Sequence, residues 1–366
     1  MFKTSIKRLF LLFFVIFGIN AYSEQINSCY AIFDAGSSGT RLFIYEQTNN
    51  GLVEHIGAKV SAIADPIREI RGKTWNDANS TIDDLILALD KIKNNSKESF
   101  DWEKECDLKS ISVYATAGMR IAELENSAKS NEFYSMLHEK LQKRVKNSTI
   151  VNTRTISGYE EGLYKWISVY KQKGYDDFGL VEVGGASAQI AYSCEECEKQ
   201  NSESLKFIYL GAGKSKVIYS KSFLGLGVDE AVKVFGLSNE CSYGIGEKKA
   251  NWDFENCANK ISLGEKDYLI NPYTSNKKAE YINLPKTLKN TKKWLLAGAF
   301  THLSDDAIDS CCMKKDKCHN EKHSCFNAVY LNKFLLKLGV PVNSDKIDVS
   351  WTYGAVTCEI NDCLKK

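Results

Sequence analysis

The sequence predicts an α/β protein built from two domains. Its 366 residues exceed the roughly 250 to 300 at which a single hydrophobic core stops growing, so two domains are the default. Strand-like runs alternate with segments whose apolar residues recur at helical spacing. In addition, a unit of strand, small-residue turn and strand occurs once in each half, which is a weak internal similarity.

The first half begins with a predicted antiparallel meander at residues 28–60, which is broken by a Gly/Ser turn and by an Asn-Asn-Gly turn. Apolar residues at helical spacing then predict a helix within residues 74–98, which Ser80 or Thr81 could cap. The remaining predicted elements of this half are a strand at 110–118, a helix at 130–145 and a strand at 149–156.

The second half repeats this order. A helix is predicted at 160–172, and a strand, a glycine turn and a second strand are predicted at 179–193. A further hairpin is predicted at 207–227. The segment 237–293 is polar, rich in lysine and contains cysteine, so loops and short elements that decorate the second domain are expected there.

The N-terminus has the pattern of a secretory signal peptide at residues 1–23. Three basic residues precede an apolar run at 9–19 that ends in small residues, and this run is shorter than the roughly 20 residues of a membrane span. A membrane anchor is the competing interpretation. Removal of the segment changes the formal net charge from +2 to −1, because it holds three positive charges and no acid. A near-neutral mature chain gives no case for nucleic acid or an anionic membrane surface as partner.

The chain contains 12 cysteines, all after the predicted signal peptide. An even count in an exported chain predicts up to six disulfides. Structural zinc is the alternative, since Cys194 and Cys197 have C-x-x-C spacing and a second group mixes cysteine with histidine. That second group comprises Cys311, Cys312, Cys318, His319, His323 and Cys325. An oxidising compartment favours disulfides over zinc.

Residues 34–41, DAGSSGTR, contain more small residues than a hairpin turn requires. Glycines allow the backbone N–H groups to form a concave nest for an anion, and the hydroxyl groups add donors. Asp34, at the end of the strand, can hold a divalent cation through water. The segment therefore predicts a phosphate site, with an ordinary turn as the alternative.

Residues 181–189, VEVGGASAQ, repeat this logic of carboxylate, glycines and hydroxyl. Two facing loops of this kind would grip a polyphosphate if both tips converged on one metal ion. A third glycine-rich stretch, at 211–215, resembles the end of a Walker loop. Ile208 occupies the position where that motif needs glycine, so this stretch is predicted to be a hairpin turn.

Five motifs in order resemble the apyrases, or ecto-nucleoside triphosphate diphosphohydrolases, across nearly the whole mature chain. The motifs are DAGSSGTR at 34–41, ATAGMR at 115–120, SGYEEGLYKW at 157–166, VEVGGASAQI at 181–190 and SFLGLG at 222–227, and WTYGAV at 351–356 resembles the family's C-terminal part. The resemblance implies two actin-like (ribonuclease-H-like) domains with the active site in the cleft between them. It also implies hydrolysis of terminal phosphates of nucleoside tri- and diphosphates with a divalent cation, Mg²⁺, Ca²⁺ or Mn²⁺.

The resemblance also implies roles for individual residues. Glu161 matches the general base and Glu160 is a neighbour of less certain role, whereas Asp34 and Glu182 match the carboxylates that hold the hydrated metal. Thr116, Ser187 and Gln189 match the residues that orient the attacking water. The phosphate-binding positions are Ser37, Ser38, Gly39, Thr40, Arg41, Gly184, Gly185 and Ala186.

Three positions depart from a simple transfer of roles. The family has aspartate where this chain has Glu182, whose carboxylate reaches up to about 1.5 Å further, so metal preference or turnover is expected to differ. Tyr330 and Trp351 match the aromatic residues that stack on the base, but both are equally well explained as core aromatic residues.

The predicted domain organisation follows the same resemblance. Residues 24–157 together with about 340–366 form the first actin-like domain, and residues 158–339 form the second with its Cys-rich insertions. The expected protein is a secreted monomer that acts on nucleotides, with periplasmic transit if the source is a Gram-negative bacterium. An exopolyphosphatase and a noncatalytic nucleotide-binding surface protein are the alternatives.

Overall fold

The structure is a computed structural model, and it describes part of the chain. The described residues are 26–68, 77–92, 100–195, 197, 203–241, 252–274, 280–284, 291–303, 312 and 323–364. The predicted signal peptide lies outside these residues, as do Cys311, Cys318 and His319.

The described residues form strands and helices in alternation, as predicted. The strands are β1 (Asn27–Gly36), β2 (Gly39–Thr48), β3 (Gly51–Val60), β4 (Cys106–Ala115), β5 (Ile150–Thr155), β6 (Gly179–Val183), β7 (Ser187–Ser193), β8 (Leu205–Tyr209), β9 (Ser215–Leu224), β10 (Tyr268–Asn271), β11 (Glu280–Asn283), β12 (Trp294–Gly298) and β13 (Asp345–Lys346). The helices are α1 (Ala78–Lys91), α2 (Trp102–Glu105), α3 (Ala117–Arg144), α4 (Gly158–Lys173), α5 (Val228–Phe235), α6 (Phe254–Lys260), α7 (Ser324–Leu338) and α8 (Trp351–Ile360).

Two larger sheets share one strand order. The first runs β3-β2-β1-β4-β5, in which β1, β2 and β3 form the predicted antiparallel meander and β4 and β5 are parallel to β1. In the second, β8-β9-β7-β6-β12-β13, strands β9, β7 and β6 form a meander and β12 and β13 continue it in parallel. The internal similarity predicted from the sequence is therefore confirmed as a repeated sheet topology, with β8 added at one edge.

The core is layered. Helices α1 and α3 pack on one face of the first sheet, and α7 packs on the outer face of the second. Between the two sheets lie α4 and α8, whose Trp166 and Trp351 belong to one apolar cluster with residues of both sheets. Because these two helices serve both sheets, the position of a boundary between two domains stays a prediction.

A glycine allows α4 and α8 to cross closely. A Cβ on Gly354 would lie 1.8 Å from the carbonyl oxygen of Tyr164, so no larger residue fits there. The Gly354 N–H donates to the Ser168 hydroxyl over 2.7 Å, which satisfies polar groups inside the contact. The small residue in WTYGAV therefore has a packing explanation.

Two helix starts differ from the prediction. Helix α1 is capped by Asp77, whose carboxylate accepts from the Ser80 N–H over 2.9 Å, so neither Ser80 nor Thr81 is the cap. Helix α3 begins at Ala117 and not at 130, and it bends at Asn126. The Asn126 side chain accepts from the Lys129 N–H over 3.0 Å and thereby caps the part of α3 that follows the bend. This part contains the helix that the sequence predicts at 130–145.

The structure pairs ten of the cysteines in disulfides and decides against zinc where it describes both partners. The pairs are Cys29–Cys106, Cys194–Cys197, Cys241–Cys257, Cys312–Cys325 and Cys358–Cys363.

Among the described residues no helix has the length and apolarity to cross a membrane. The glycine-rich stretch at 211–215 is a hairpin turn between β8 and β9, as predicted.

Candidate active site

The first glycine-rich loop joins β1 to β2 and places Asp34 just before the turn. Asp34 pairs with Arg41 and Gly36 with Gly39, so Ser37 and Ser38 form the tip. Gly39 has φ +149°, a backbone conformation that favours glycine. The structure exposes Arg41 and buries Thr40, whose hydroxyl has no hydrogen-bond partner in the part of the chain that is described.

The second loop joins β6 to β7 and is held by backbone hydrogen bonds. The Gly184 N–H donates to the Ser187 carbonyl over 2.9 Å, and the Asp229 N–H at the start of α5 donates to the Gly185 carbonyl over 2.8 Å. The Ala186 side chain packs in a small apolar cluster with Ala117 of α3. The loop is thus fixed from both halves of the molecule.

The two loop tips converge. A Cβ on Gly185 would lie 2.5 Å from the Ser37 hydroxyl oxygen, and a Cβ on Gly118 would lie 3.0 Å from the Ser37 Cα. Glycine at 185 therefore permits this close approach, because a Cβ there would displace the Ser37 hydroxyl. The loops that the sequence predicts to face each other do so in the structure.

Glu161 lies in the first turn of α4 and is 9% exposed. The Gln189 amide donates to its Oε2 over 2.9 Å, and the Arg120 guanidinium forms an ion pair with the same oxygen. Burial raises the pKa of the Glu161 carboxyl to about 7; Arg120 opposes this rise, and Glu182 and Asp34 add to it. A carboxylate with such a pKa is suited to accept a proton near neutral pH.

The neighbouring Glu160 has a structural role. Its carboxylate accepts from the Ser157 N–H over 2.8 Å, while the Ser157 hydroxyl accepts from the Glu160 N–H, which completes a capping box at the start of α4. Arg154 pairs with the same carboxylate over 2.7 Å. These contacts give Glu160 a structural role that the sequence left uncertain.

Arg120 and Ser222 belong to the polar network of the site but were not singled out from the sequence. The Arg120 guanidinium donates to the hydroxyls of Ser187 and Ser222, each over 3.2 Å. The Gln189 amide donates to the same hydroxyls over 2.6 and 3.0 Å. Both missed residues stand inside quoted motifs, ATAGMR and SFLGLG, so motif membership was the available signal.

Asp34 and Glu182 lie close enough for their charges to interact. Burial and the neighbouring Glu182 raise the pKa of Asp34 to about 6, whereas Lys165, the indole N–H of Trp351 and Arg41 lower it. Glu182 Oε1 accepts from the Lys165 ammonium over 2.7 Å. Glu182 Oε2 is buried and has no hydrogen-bond partner among the described residues.

The two carboxylates fit a hydrated divalent cation of the Mg²⁺ or Ca²⁺ type. Their donor atoms are all oxygen, which such cations prefer, and one buried carboxylate oxygen remains available. No group of three or more histidine, cysteine or acidic ligands occurs in the described part of the chain. Any such ion would therefore complete its shell with water and substrate oxygens.

Comparison with known proteins assigns the chain to a family. The profile of the GDA1/CD39 (nucleoside phosphatase) family matches residues 21–340. The chain belongs to this family.

Curated relatives agree with the family match. Nucleoside-triphosphatase ntp-1 of Caenorhabditis elegans is 30% identical over 220 residues, which cover 56% of this chain and 39% of the relative. Ectonucleoside triphosphate diphosphohydrolase 3 of Mus musculus is 28% identical over 227 residues, which cover 56% and 40%. The match thus spans about two fifths of the length of these GDA1/CD39 relatives.

Solved structures support the fold. A nucleoside triphosphate hydrolase of Neospora caninum superimposes with a TM-score of 0.57 at 14% identity and covers 90% of this chain and 91% of its own. An exopolyphosphatase of Cytophaga hutchinsonii does so with a TM-score of 0.50 at 13% identity and covers 92% and 98%. At these identities the likeness concerns the fold alone, and it confirms the predicted actin-like α/β class.

Thr116 is the N-cap residue of α3 and lies beside the first glycine-rich loop. Its N–H donates to the Ala35 carbonyl over 3.1 Å, and its buried side chain makes no capping hydrogen bond. The hydroxyl is therefore not required for the helix start. Its role in orienting water stays a prediction.

The structure contradicts the base-stacking prediction for Tyr330. Its ring is 0% exposed among Phe326, Phe334 and Phe235, and its hydroxyl donates to the Leu226 carbonyl over 2.7 Å. A ring enclosed by the core presents no face to a base. Helical spacing with Phe334 is compatible with this core role but did not distinguish it from base stacking.

Trp351 is also placed differently from the prediction. Its ring stacks on Tyr164 with centroids 6.3 Å apart, inside the cluster between the two sheets, and its indole N–H lowers the pKa of the Asp34 carboxyl. The buried ring is unavailable for stacking on a base, and it supports the Asp34 carboxylate instead.

Proposed function

We propose that this member of the GDA1/CD39 family hydrolyses the terminal phosphate of nucleoside tri- and diphosphates, using a water molecule that Glu161 deprotonates. The observation that carries the proposal is the buried Glu161 carboxylate, with its pKa raised to about 7, beside two glycine-rich loops that converge. The family match and the names of the curated relatives support the substrate class.

The residues of the site have different roles in the proposed hydrolysis. The loop amides and the hydroxyls of Ser37 and Ser38 bind the phosphates. Thr116, Ser187 and Gln189 orient the water in line with the terminal phosphorus. When the water oxygen bonds to that phosphorus, its proton passes to Glu161, and the bond to the bridging oxygen breaks with release of the shortened nucleotide and phosphate.

Asp34 and Glu182 would hold the hydrated divalent cation. The ion supplies neutralisation of the charge on the phosphate oxygens when it is bound. Trp351 keeps the Asp34 carboxylate in position through its indole N–H. Neither carboxylate needs to become phosphorylated.

The proposal includes export to an oxidising compartment. Five disulfides in the described residues and the predicted signal peptide at 1–23 support it, because such bonds persist outside the cytosol. Secretion as a monomer is the simplest form of this expectation.

A phosphate-release panel tests the substrate class. The wild-type protein is offered ATP, ADP, GDP and polyphosphate, each with Mg²⁺, Ca²⁺ or Mn²⁺. We expect release from nucleotides to exceed release from polyphosphate with at least one ion. Faster release from polyphosphate than from any nucleotide would favour the exopolyphosphatase alternative and overturn the proposal.

Glu161→Gln tests the base, and Glu160→Gln is its matched control. We expect Glu161→Gln to lower the release rate by at least about 100-fold, as loss of a general base does, with nucleotide binding retained. Glu160→Gln keeps an acceptor for the capping box and should stay within a few-fold of the wild type. Equal rates for Glu161→Gln and the wild type would show that another group activates water, and lack of release by any form would favour a noncatalytic nucleotide binder.

A further inference from the structure

Lys165 is a buried lysine in the middle of the proposed metal site. It follows Glu161 by one helical turn on α4, so both side chains project from the same face of the helix. The Lys165 side chain is 7% exposed, and its ammonium lies 2.7 Å from Glu182 Oε1. A buried ammonium requires a counter-charge, and Glu182 provides it.

The length of the Glu182 side chain explains how this pair forms. An aspartate at position 182 would lack one methylene, and its carboxylate would lie up to about 1.5 Å nearer to β6. The donor–acceptor distance is 2.7 Å, and lengthening it by that amount would break the hydrogen bond between Lys165 and residue 182. Lys165 and Glu182 therefore act together as a feature of this chain.

The ammonium changes the charge that a metal ion meets. Asp34 and Glu182 together carry two negative charges when ionised, and Lys165 reduces this sum to one. The ammonium acts on Asp34 as well as on Glu182. A divalent cation that approaches the carboxylates is repelled by the fixed positive charge, and burial makes this repulsion stronger than it would be in water.

We propose that Lys165 is a tethered cation of the metal site, which holds Glu182 in place and weakens the binding of a hydrated divalent cation by Asp34 and Glu182. Lys165 thus sets the metal affinity of the enzyme as a positioning residue. The inference rests on the proposed function, since that function assigns the two carboxylates to the metal. Glu182 Oε2, which has no hydrogen-bond partner among the described residues, is the oxygen left for the ion's water.

A metal titration without nucleotide tests this inference. Mn²⁺ is added at pH 8 and its free concentration is followed by electron paramagnetic resonance for the wild type, Lys165→Met and Lys165→Arg. We expect Lys165→Met to bind Mn²⁺ at least about tenfold more tightly, because the repelling charge is gone. Lys165→Arg keeps the charge and should remain within about threefold of the wild type.

Lys171→Met is the matched control on the same helix. Lys171 donates to the Leu210 carbonyl over 2.8 Å, away from the two carboxylates, so its removal should change Mn²⁺ affinity by no more than about twofold. If Lys165→Met does not fold, Lys165→Gln replaces it, because glutamine keeps a donor for Glu182 but removes the charge. The expected tightening is the same.

Three results would overturn the inference. These are unchanged or weaker Mn²⁺ binding by the Lys165→Met or Lys165→Gln variant, equal tightening by Lys171→Met, and tightened binding that persists when Asp34→Asn is added. Failure of the proposed function is a separate result, since it would appear as lack of nucleotide hydrolysis by the wild type in the release panel. The Mn²⁺ titration involves no turnover and is read independently.

Discussion

At the scale of single residues, environment gives identical side chains different chemistry. Glu160 and Glu161 are adjacent in α4, yet Arg154 and the capping box hold the first as a structural anion, whereas burial raises the pKa of the second. The Arg120 guanidinium is the main group that opposes this rise. If Glu161 acts as the base, as proposed, Arg120 sets the pH range in which it can do so.

Removal of Arg120 should move the pH profile of the enzyme. Below pH 7 Glu161 becomes protonated and cannot accept a proton, so kcat/KM should fall about tenfold per pH unit on the acid side. Arg120→Met removes a charge that favours the ionised form of Glu161. The pH below which kcat/KM falls should therefore rise by at least about one unit, whereas Arg120→Lys should raise it less. A pH profile of nucleotide hydrolysis is the measurement, and an unmoved limb in Arg120→Met would contradict the assignment.

At the scale of elements, the site depends on two hairpin turns that reach each other. The β1–β2 turn and the β6–β7 turn come from different sheets, and α5 holds the second turn through the Asp229 N–H. At Gly185 a Cβ would lie 2.5 Å from both Ser37 Oγ and Asp229 Oδ2. Both atoms are at the ends of flexible side chains, so these side chains can move aside and the fold can be kept. The two loops would then lose the geometry that is proposed to bind phosphate.

Gly185→Ala should therefore damage function more than stability. We expect kcat/KM for nucleotides to fall about 10- to 100-fold, as small displacements of positioning groups do, with little change in Tm. Gly184→Ala is the comparison, because a Cβ there meets its nearest atom at an ordinary 3.6 Å. Equal losses for the two variants would argue that the close approach of the loops is unimportant.

At the scale of the whole molecule, an ion-pair network joins the two halves beside the cleft. Arg68, which follows β3, pairs with Glu125 of α3 and with Glu230 of α5, each over 3.2 Å. The Glu230 side chain is 3% exposed and also accepts from Lys233 and from the Tyr273 hydroxyl. Such a buried, multiply bonded carboxylate is costly to leave with fewer partners.

Arg68→Met should lower the free energy of unfolding by about 1 to 3 kcal/mol in urea titrations, because Glu230 stays buried with part of its charge compensation lost. Lys104→Met is the control, since the Lys104 side chain is 84% exposed and the loss of its surface pair with Asp101 should leave the free energy of unfolding close to that of the wild type. A cost for Arg68→Met no larger than that of the control would mean that the network does not hold the halves together.

Local sequence predicted much of this molecule. The turn residues and alternating patterns located the meander at 28–60 and the β6–β7 hairpin at 179–193, because a strand's periodicity and its glycine-rich turns are local properties. The runs at 34–41 and 181–189 likewise predicted two loops that the structure brings together. Family motifs supplied Glu161 and the two carboxylates, whose roles stay predictions until they are tested.

Tertiary structure alone decided the rest. Arg120, Lys165 and Ser222 reach the site from three elements far apart in the chain, and no local pattern reports which side chains will meet. Helical spacing indicated that Tyr330 faces something apolar, but not that it faces the core. The number of cysteines likewise did not indicate which of them form disulfides with each other. Sequence determined the elements and their turns because these depend on near neighbours, whereas contacts, burial and pKa shifts depend on groups that only the packed chain brings together.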